Sequence, residues 1–281
     1  MATAKKIDKF ATFIISHQRA NSIKTLDALK EANYTGDYYI IIDDEDTQKD
    51  LYLQKFKDKV CIFSKDEMLK DTDTIDNFNK KTSAVFARNY CFKLAKQLNL
   101  KYFLELDDDI ESFCIRYEAN GSLKRKEIKD FNEIIIDYLK IFKNEKVKCI
   151  SFAHNGGYIG GVNGKFKKGF GRTCCMAMIF RTCDLKFMGI QGEDFNICYE
   201  YGKKGDVFLE LYLVSCDTPK RGSNEGGNKT DYESGTLYVS CFYSLILAPS
   251  CCKIIKTSDS YILKRNWNNF VPMIINERYR K

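Results

Sequence analysis

Apolar residues occur along this chain in short continuous runs, separated by stripes at helical spacing. Residues 11–16 (ATFIIS), 38–42 (YYIII), 60–63 (VCIF) and 102–106 (YFLEL) have the length and continuity of strands buried on both faces. Between the first two, Ile23, Leu26, Leu29 and Ala32 share one helical face behind Ser22, an N-cap candidate, and Gly36 in the turn after them ends the pattern. Residues 51–56 suggest a second helix. A longer one spans 83–98, with Ala84, Ala87, Cys91, Leu94, Ala95 and Leu98 on its apolar stripe and Arg88 and Asn89 off it. Strand and helix therefore alternate over the first ~110 residues, which predicts a mostly parallel sheet of right-handed βαβ units flanked by helices, an α/β fold.

Beyond residue 115 the pattern is less regular. Lys124-Arg125-Lys126 leads into a helix with Phe131, Ile134, Ile135, Tyr138 and Phe142 inward, and strands are expected at 149–152, 174–180 and 207–214. A glycine-rich loop from Asn155 to Gly171 carries Lys165, Lys167 and Lys168, with Arg172 just after it. Gly192-Glu193-Asp194 opens a helix over 195–202. The polar stretch 219–231 has the length of a mobile lid. A helix over 235–247 and a polar tail follow. With no internal repeat and no long linker, one domain over 1–281 is expected, split into halves at 1–115 and 116–281.

Composition narrows the class. A hydrophobic content of 44% over 281 residues supports a full core. No apolar run approaches the ~18 residues of a membrane span, and the first residues lack a signal-peptide core, so a cytoplasmic protein with no membrane partner is expected. Several of the twelve cysteines lie inside apolar segments, and Cys174-Cys175 and Cys251-Cys252 are adjacent pairs without zinc-ligand spacing. With only His17 and His154 available, a zinc centre is not expected either. The glycine-rich loop lacks the G-x-x-x-x-G-K-[ST] spacing, and no strand runs into G-x-G-x-x-G, which excludes a P-loop and a dinucleotide fingerprint. A net charge of +7 is compatible with a polyanionic partner without requiring one.

The chemistry concentrates where strands end. The run 102–106 stops in Asp107-Asp108-Asp109, and 38–42 stops in Asp43-Asp44-Glu45-Asp46. Adjacent carboxylates repel one another unless a cation or water shares the space. In a parallel sheet both clusters fall on one edge, where ligand crevices form, so a divalent-metal or nucleotide site stands against two solvated acidic turns. Glu193 and Asp194 admit simple capping of a helix start as well as catalysis. Arg88 and Arg19 read as ordinary exposed arginines or as anion ligands, and the loop lysines as a solvated surface or as contacts to a polyanionic partner.

Taken together, Ile14-Ile15-Ser16-His17-Gln18-Arg19, Ile40-Ile41-Ile42-Asp43-Asp44-Glu45-Asp46, Ala87-Arg88-Asn89 and Leu106-Asp107-Asp108-Asp109 resemble GT-A glycosyltransferases of the inverting, family-two-like kind, with Glu193-Asp194 where such enzymes carry a Glu-Asp pair. Residues 172–180, 192–199, 226–232, Gly235-Thr236 and Phe242-Tyr243 resemble the TET-associated glycosyltransferases of bacteriophages. The first turn departs from the family's more usual Pro-Ser-Tyr-x-Arg. The resemblance implies the GT-A nucleotide-diphospho-sugar transferase fold and sugar transfer from a UDP-sugar or other nucleotide-diphosphate sugar. It implies Mn²⁺ or Mg²⁺ on Asp109 and Asp107, and as acceptor the hydroxymethyl group of a modified pyrimidine in DNA. Donor contacts would fall to Ser16, Arg19, Asp44 or Asp43, Arg88, and Asp107 or Asp108. Asp194, with Glu193 as alternate, would be the catalytic base, and Lys168 and Arg172 would meet the acceptor. A transferase acting on a glycan or small acceptor, and a non-catalytic DNA-binding protein, are the competing expectations.

Overall fold

The computed structural model describes residues 7–76, 80–219, 237–256 and 261–266. Four parallel strands form one flank of a ten-stranded sheet: β1 (Phe10–Ile15), β2 (Tyr38–Asp43), β3 (Val60–Phe63) and β4 (Tyr102–Asp107), in the order β3-β2-β1-β4. The helices between them are α1 (Lys24–Glu31), α2 (Lys49–Phe56), α3 (Lys65–Asp71) and α4 (Val85–Gln97). The parallel arrangement expected for this half is therefore present. The helix α3, capped by Ser64 accepting from the Glu67 amide, was not anticipated.

The sheet continues through β9 (Ala177–Arg181), β7 (Val147–His154), β10 (Val207–Asp217), β5 (Ser112–Ala119) and β6 (Ser122–Glu127), with β8 (Phe170–Gly171) against β10. Here directions alternate. β9 runs antiparallel between β4 and β7, β10 is parallel to β7, and β5 is antiparallel to β10. One sheet thus carries both halves of the chain. Its outer faces hold α5 (Phe131–Ile141) and α6 (Glu193–Gly202), together with α7 (Leu237–Leu247); β11 (Cys252–Lys256) and β12 (Tyr261–Arg265) form a separate hairpin.

Both faces of β1 and most of β2 and β4 are buried, which is why these strands read as unbroken apolar runs, whereas the edge strand β3 exposes Ile62. Ile14, Ile40, Leu104 and Leu106 pack with residues of α1 and α5, whereas Phe13, Ile41 and Phe103 face Phe92 of α4 and Phe180 of β9. The Phe92 ring meets Phe103 and Phe180 edge-on, each at 5.0 Å between centroids. Such contacts add stability beyond the area they bury.

Two hairpins replace expected irregular segments. Lys124-Arg125-Lys126 does not lead directly into a helix but lies in β6, paired with β5 across a turn at Asn120-Gly121. Both turn residues have positive φ, 54° and 69°, the geometry that Asn-Gly favours in two-residue hairpins. The polar tail likewise contains β11 and β12. All twelve cysteines are free thiols. No helix among the described residues is long and apolar enough to cross a membrane. The expected lid lies outside the described residues from position 220 onward.

Candidate active site

Thr25, buried at the start of α1, fixes the acidic end of β4. Its hydroxyl donates to the Asp107 carbonyl (2.6 Å) and accepts from the Ile110 amide (3.0 Å), and its amide donates to the Asp108 carbonyl (3.2 Å). With the backbone held, the three carboxylates diverge. Asp107 and Asp109 are half-buried at the surface of the crevice, while Asp108 turns inward and is 5% exposed. Ser16 donates to Asp108 at 2.6 Å, and the Arg19 guanidinium lies 2.5 Å from its other oxygen. Tyr52 closes this group through the Ser16 hydroxyl (2.7 Å) and the Arg19 amide (2.9 Å). Ser16, Arg19 and Asp108, all expected to touch a donor, thus brace one another and hold the turn after β1 against the end of β4.

Arg88 departs furthest from its expected position. It is neither an exposed helix arginine nor free to reach out, because α4 places it 4% exposed beneath the crevice. Its guanidinium donates to Asp107 (3.1 Å), to Glu193 (3.1 Å) and to Glu105, which lies in mid-β4 and is fully buried. Burial alone would disfavour its charge, but Asp107, Glu105, Glu193 and Asp194 together hold it firmly protonated. Glu105, which sequence reasoning passed over as part of an apolar strand, is the floor of this network. Its second oxygen has no hydrogen-bond partner, and burial raises its pKa despite Arg88. The one available signal was a charge in the middle of an otherwise apolar run, YFLEL.

At the neighbouring strand end, Asp43 and Asp44 separate in the same way. Asp43 is buried between His17 (2.9 Å) and Lys65 (2.9 Å). Burial pushes its pKa up, but the hydrogen bonds from His17 and Lys65 outweigh that and hold it at about 2. Asp44 is exposed, steadied by the Lys65 amide at 3.0 Å, and is the carboxylate offered to the crevice. His17 thereby has a structural task, linking the turn after β1 to the end of β2.

Glu193 and Asp194 form the first turn of α6, entered from Gly192 at φ 69°. Asn196 anchors that turn by donating to the Met188 and Gln191 carbonyls (3.0 and 3.2 Å) and accepting from Ser244 of α7 (2.8 Å). Asp194 accepts from the amide of its neighbour Phe195 at 2.8 Å, while the N-cap position, Gly192, has no side chain to cap the helix. The Asp194 carboxyl is pushed up to about 6, by burial first and then by the Glu193 charge. Asp107 rises further, to about 7, because burial and the neighbouring charges of Asp109, Glu105 and Asp108 outweigh Arg88. Among the described residues, six carboxylates (Glu105, Asp107, Asp108, Asp109, Glu193 and Asp194) stand against three guanidiniums, Arg19, Arg88 and Arg265. That excess of negative charge, all of it on oxygen, fits a hard divalent cation held by Asp107 and Asp109.

A model of the TET-associated glycosyltransferase family matches residues 10–227 of the sequence. This chain belongs to the TET-associated glycosyltransferases. None of the curated proteins matches it. Among solved structures it is similar to mannosyl-3-phosphoglycerate synthase from Rubrobacter xylanophilus (9% identity, TM-score 0.49, covering 94% of this chain and 90% of that one). It is also similar to glucosyl-3-phosphoglycerate synthase from Mycobacterium tuberculosis in complex with Mn²⁺, UDP and glucosyl-3-phosphoglycerate (9% identity, TM-score 0.48, covering 94% and 88%). At these scores neither likeness carries an inference about ligands.

In this glycosyltransferase the basic loop is a packed feature. Residues 165–168 form a short 3-10 turn ended by Gly169 at φ 76°, whose carbonyl accepts from the Tyr212 amide (3.1 Å). Lys165, Lys167, Lys168 and Arg172 are exposed on it and beside it. None of them contacts Asp194. A further basic strip, Lys124, Arg125 and Lys126, is exposed on β6, and Arg125 and Arg116 converge on Asp217 at the end of β10 (2.7 Å each).

Proposed function

We propose that this glycosyltransferase moves a sugar from a nucleotide-diphosphate donor to the hydroxymethyl group of a modified pyrimidine in DNA. The observation that carries the reading is the single guanidinium of Arg88, which joins Asp107 at the end of β4 to Glu193 at the start of α6. The acidic strand end and the acidic helix start are thereby parts of one site. Mn²⁺ or Mg²⁺ on Asp107 and Asp109 would supply Lewis-acid stabilisation of the diphosphate as it leaves. Asp44, exposed beside that edge, contributes hydrogen bonding to the nucleotide base. Arg88, held below the surface, positions Asp107 and Glu193 and does not bind phosphate itself.

Asp194 is the base that takes the proton from the attacking hydroxyl. Its raised pKa favours this, since proton transfer is most efficient when the base titrates near the working pH. Glu193 is committed to Arg88 and serves as the charge that raises Asp194. Attack from the side of α6 on a sugar whose diphosphate departs toward β4 inverts the anomeric centre. Exposed Lys168 and Arg172 would meet acceptor phosphates, and a C5 hydroxymethyl group already points into the major groove.

The test combines the protein, Mn²⁺ and labelled nucleotide sugars with DNA carrying, or lacking, hydroxymethylated pyrimidines. Label should enter only the hydroxymethylated DNA and disappear with EDTA. Equal labelling of unmodified DNA, or labelling of a glycan alone, would overturn the acceptor assignment.

A further inference from the structure

Three neighbouring strands of the second half deliver an imidazole, a thiol and a carboxylate to one point. His154 ends β7, Cys175 precedes β9, and Glu210 lies within β10. His154 Nδ1 is 3.2 Å from Glu210 Oε1 and 3.5 Å from Cys175 Sγ, and all three ligand atoms lie within 4.8 Å of one another. A tetrahedral zinc ion binds nitrogen and oxygen at about 2.0–2.2 Å and sulfur at about 2.3 Å, which sets its nitrogen–oxygen edge near ~3.3 Å and its nitrogen–sulfur edge near ~3.6 Å. Two of the three edges therefore have the lengths a zinc tetrahedron requires, and the third lies within 4.8 Å.

The local fold is arranged around this point. Glu210 sits opposite Ser151 of β7 and Gly171 of β8, and the β10 register then slips between Leu211 and Ser215. A Cβ at position 171 would stand 2.8 Å from Glu210 Oε2 and 2.5 Å from the Tyr212 hydroxyl, so glycine there leaves room for both groups. Tyr212 hydrogen-bonds to Glu210, an outer partner of the kind that orients metal-binding carboxylates. Glu210 and Cys175 are buried, at 1% and 6% exposure, while His154 is partly exposed and leaves a path from solvent.

We propose that His154, Cys175 and Glu210 form a zinc site with three protein ligands and a fourth position open to water. The mixed nitrogen, sulfur and oxygen set suits a borderline ion such as Zn²⁺, in contrast to the all-oxygen set at Asp107 and Asp109. Binding expels the thiol proton of Cys175 to solvent and fixes the neutral His154 ring with its proton on Nε2. The site stands independently of the sugar-transfer reading.

The full chain, stripped with a chelator, would be titrated with Zn²⁺ against a chromophoric competitor, and separately with Co²⁺ while the near-ultraviolet spectrum is recorded. One zinc equivalent should bind the wild type and the Asp107→Ala/Asp109→Ala variant alike. Cys175→Ser and His154→Ala should each weaken it at least about 100-fold, and Tyr212→Phe about 10-fold. Cys175→Ser should also remove a thiolate-to-cobalt charge-transfer band. Circular dichroism of each variant identifies any that has unfolded, and Glu210→Gln, which keeps the side-chain size, provides a further ligand deletion. Zinc affinity unchanged in the folded Cys175→Ser and His154→Ala proteins, or abolished only by the double aspartate variant, would overturn the proposal.

Discussion

The two flanks of β4 are built by different rules. On one, β3, β2, β1 and β4 run parallel, with helices following β1, β2 and β3, and the acidic clusters Asp43-Asp44 and Asp107-Asp108-Asp109 sit at strand ends or in the turns just beyond them. On the other, β9, β7, β10, β5 and β6 change direction repeatedly, and β10 slips register within itself. The groups proposed for chemistry there come from mid-strand (Glu210), from a loop (Cys175) and from a helix start (Asp194). A parallel flank fixes where ligands go, because all its C-terminal strand ends share one edge. A mixed flank has no such address, so its residues are chosen by packing against the first.

The sharpest way to break this contrast is to delete the acid at the parallel edge. Asp109→Ala should lower the rate of sugar transfer by at least about 10³-fold, of the order expected for losing a group that stabilises charge on the leaving group. The measurement is kcat with saturating Mn²⁺ and donor. Retention of more than a tenth of the activity would mean that the donor is clamped elsewhere.

Next comes the base proposed on the mixed flank. Asp194→Asn should slow transfer by about 10²–10⁴-fold, the usual contribution of a positioned base. The pH profile gives a second readout. Asp194 is pushed up to about 6 and acts only when ionised, so kcat/KM should rise with pH through that value and level off above it. The inflection should vanish in the asparagine variant. An unchanged profile would move the base to another residue.

How far the sequence revealed this arrangement follows from the same contrast. The unbroken runs ATFIIS, YYIII and YFLEL betrayed buried strands, and the acids after YYIII and YFLEL stand at one edge of the sheet, as the parallel order requires. What periodicity could not convey was depth. Arg88 and Asn89 fall off the apolar stripe of α4 and still lie buried, because Arg88 meets an equally buried charge, Glu105, and Asn89 hydrogen-bonds to Thr72 and to the Phe187 backbone. The hairpin β5–β6 was missed: its Asn-Gly turn was a signal, but its second strand, SLKRKE, has almost no apolar residues to announce it. His154, Cys175 and Glu210 are far apart in sequence, so no spacing rule could join them.

Stability compares the flanks through one arginine in each. Arg88→Met removes the shared partner of three carboxylates at 5% side-chain exposure, and should destabilise the protein by about 3–5 kcal/mol, as when a buried charge loses its counter-ion. Arg116 pairs with Asp217 at 14% exposure, and Arg125 also holds that carboxylate, so Arg116→Met should remove only about 1–2 kcal/mol. Urea unfolding of the two variants measures the difference. Equal losses would mean that the Arg88 network relaxes once the guanidinium is gone.

The smallest effect concerns the acceptor surface. Lys168→Ala and Arg172→Ala lie on an exposed, well-packed loop and should leave stability and the turnover of saturating substrate almost unchanged. Their signature is in the salt dependence of DNA binding. Removing one charge that neutralises a phosphate should reduce the slope of log affinity against log salt by about 0.9, whatever the DNA sequence. A slope that does not move would assign the phosphates to the other exposed basic strip of the mixed flank, Lys124 and Lys126 on β6. The same pair of substitutions made there would then have to lower it, which turns a small effect into a choice between two surfaces.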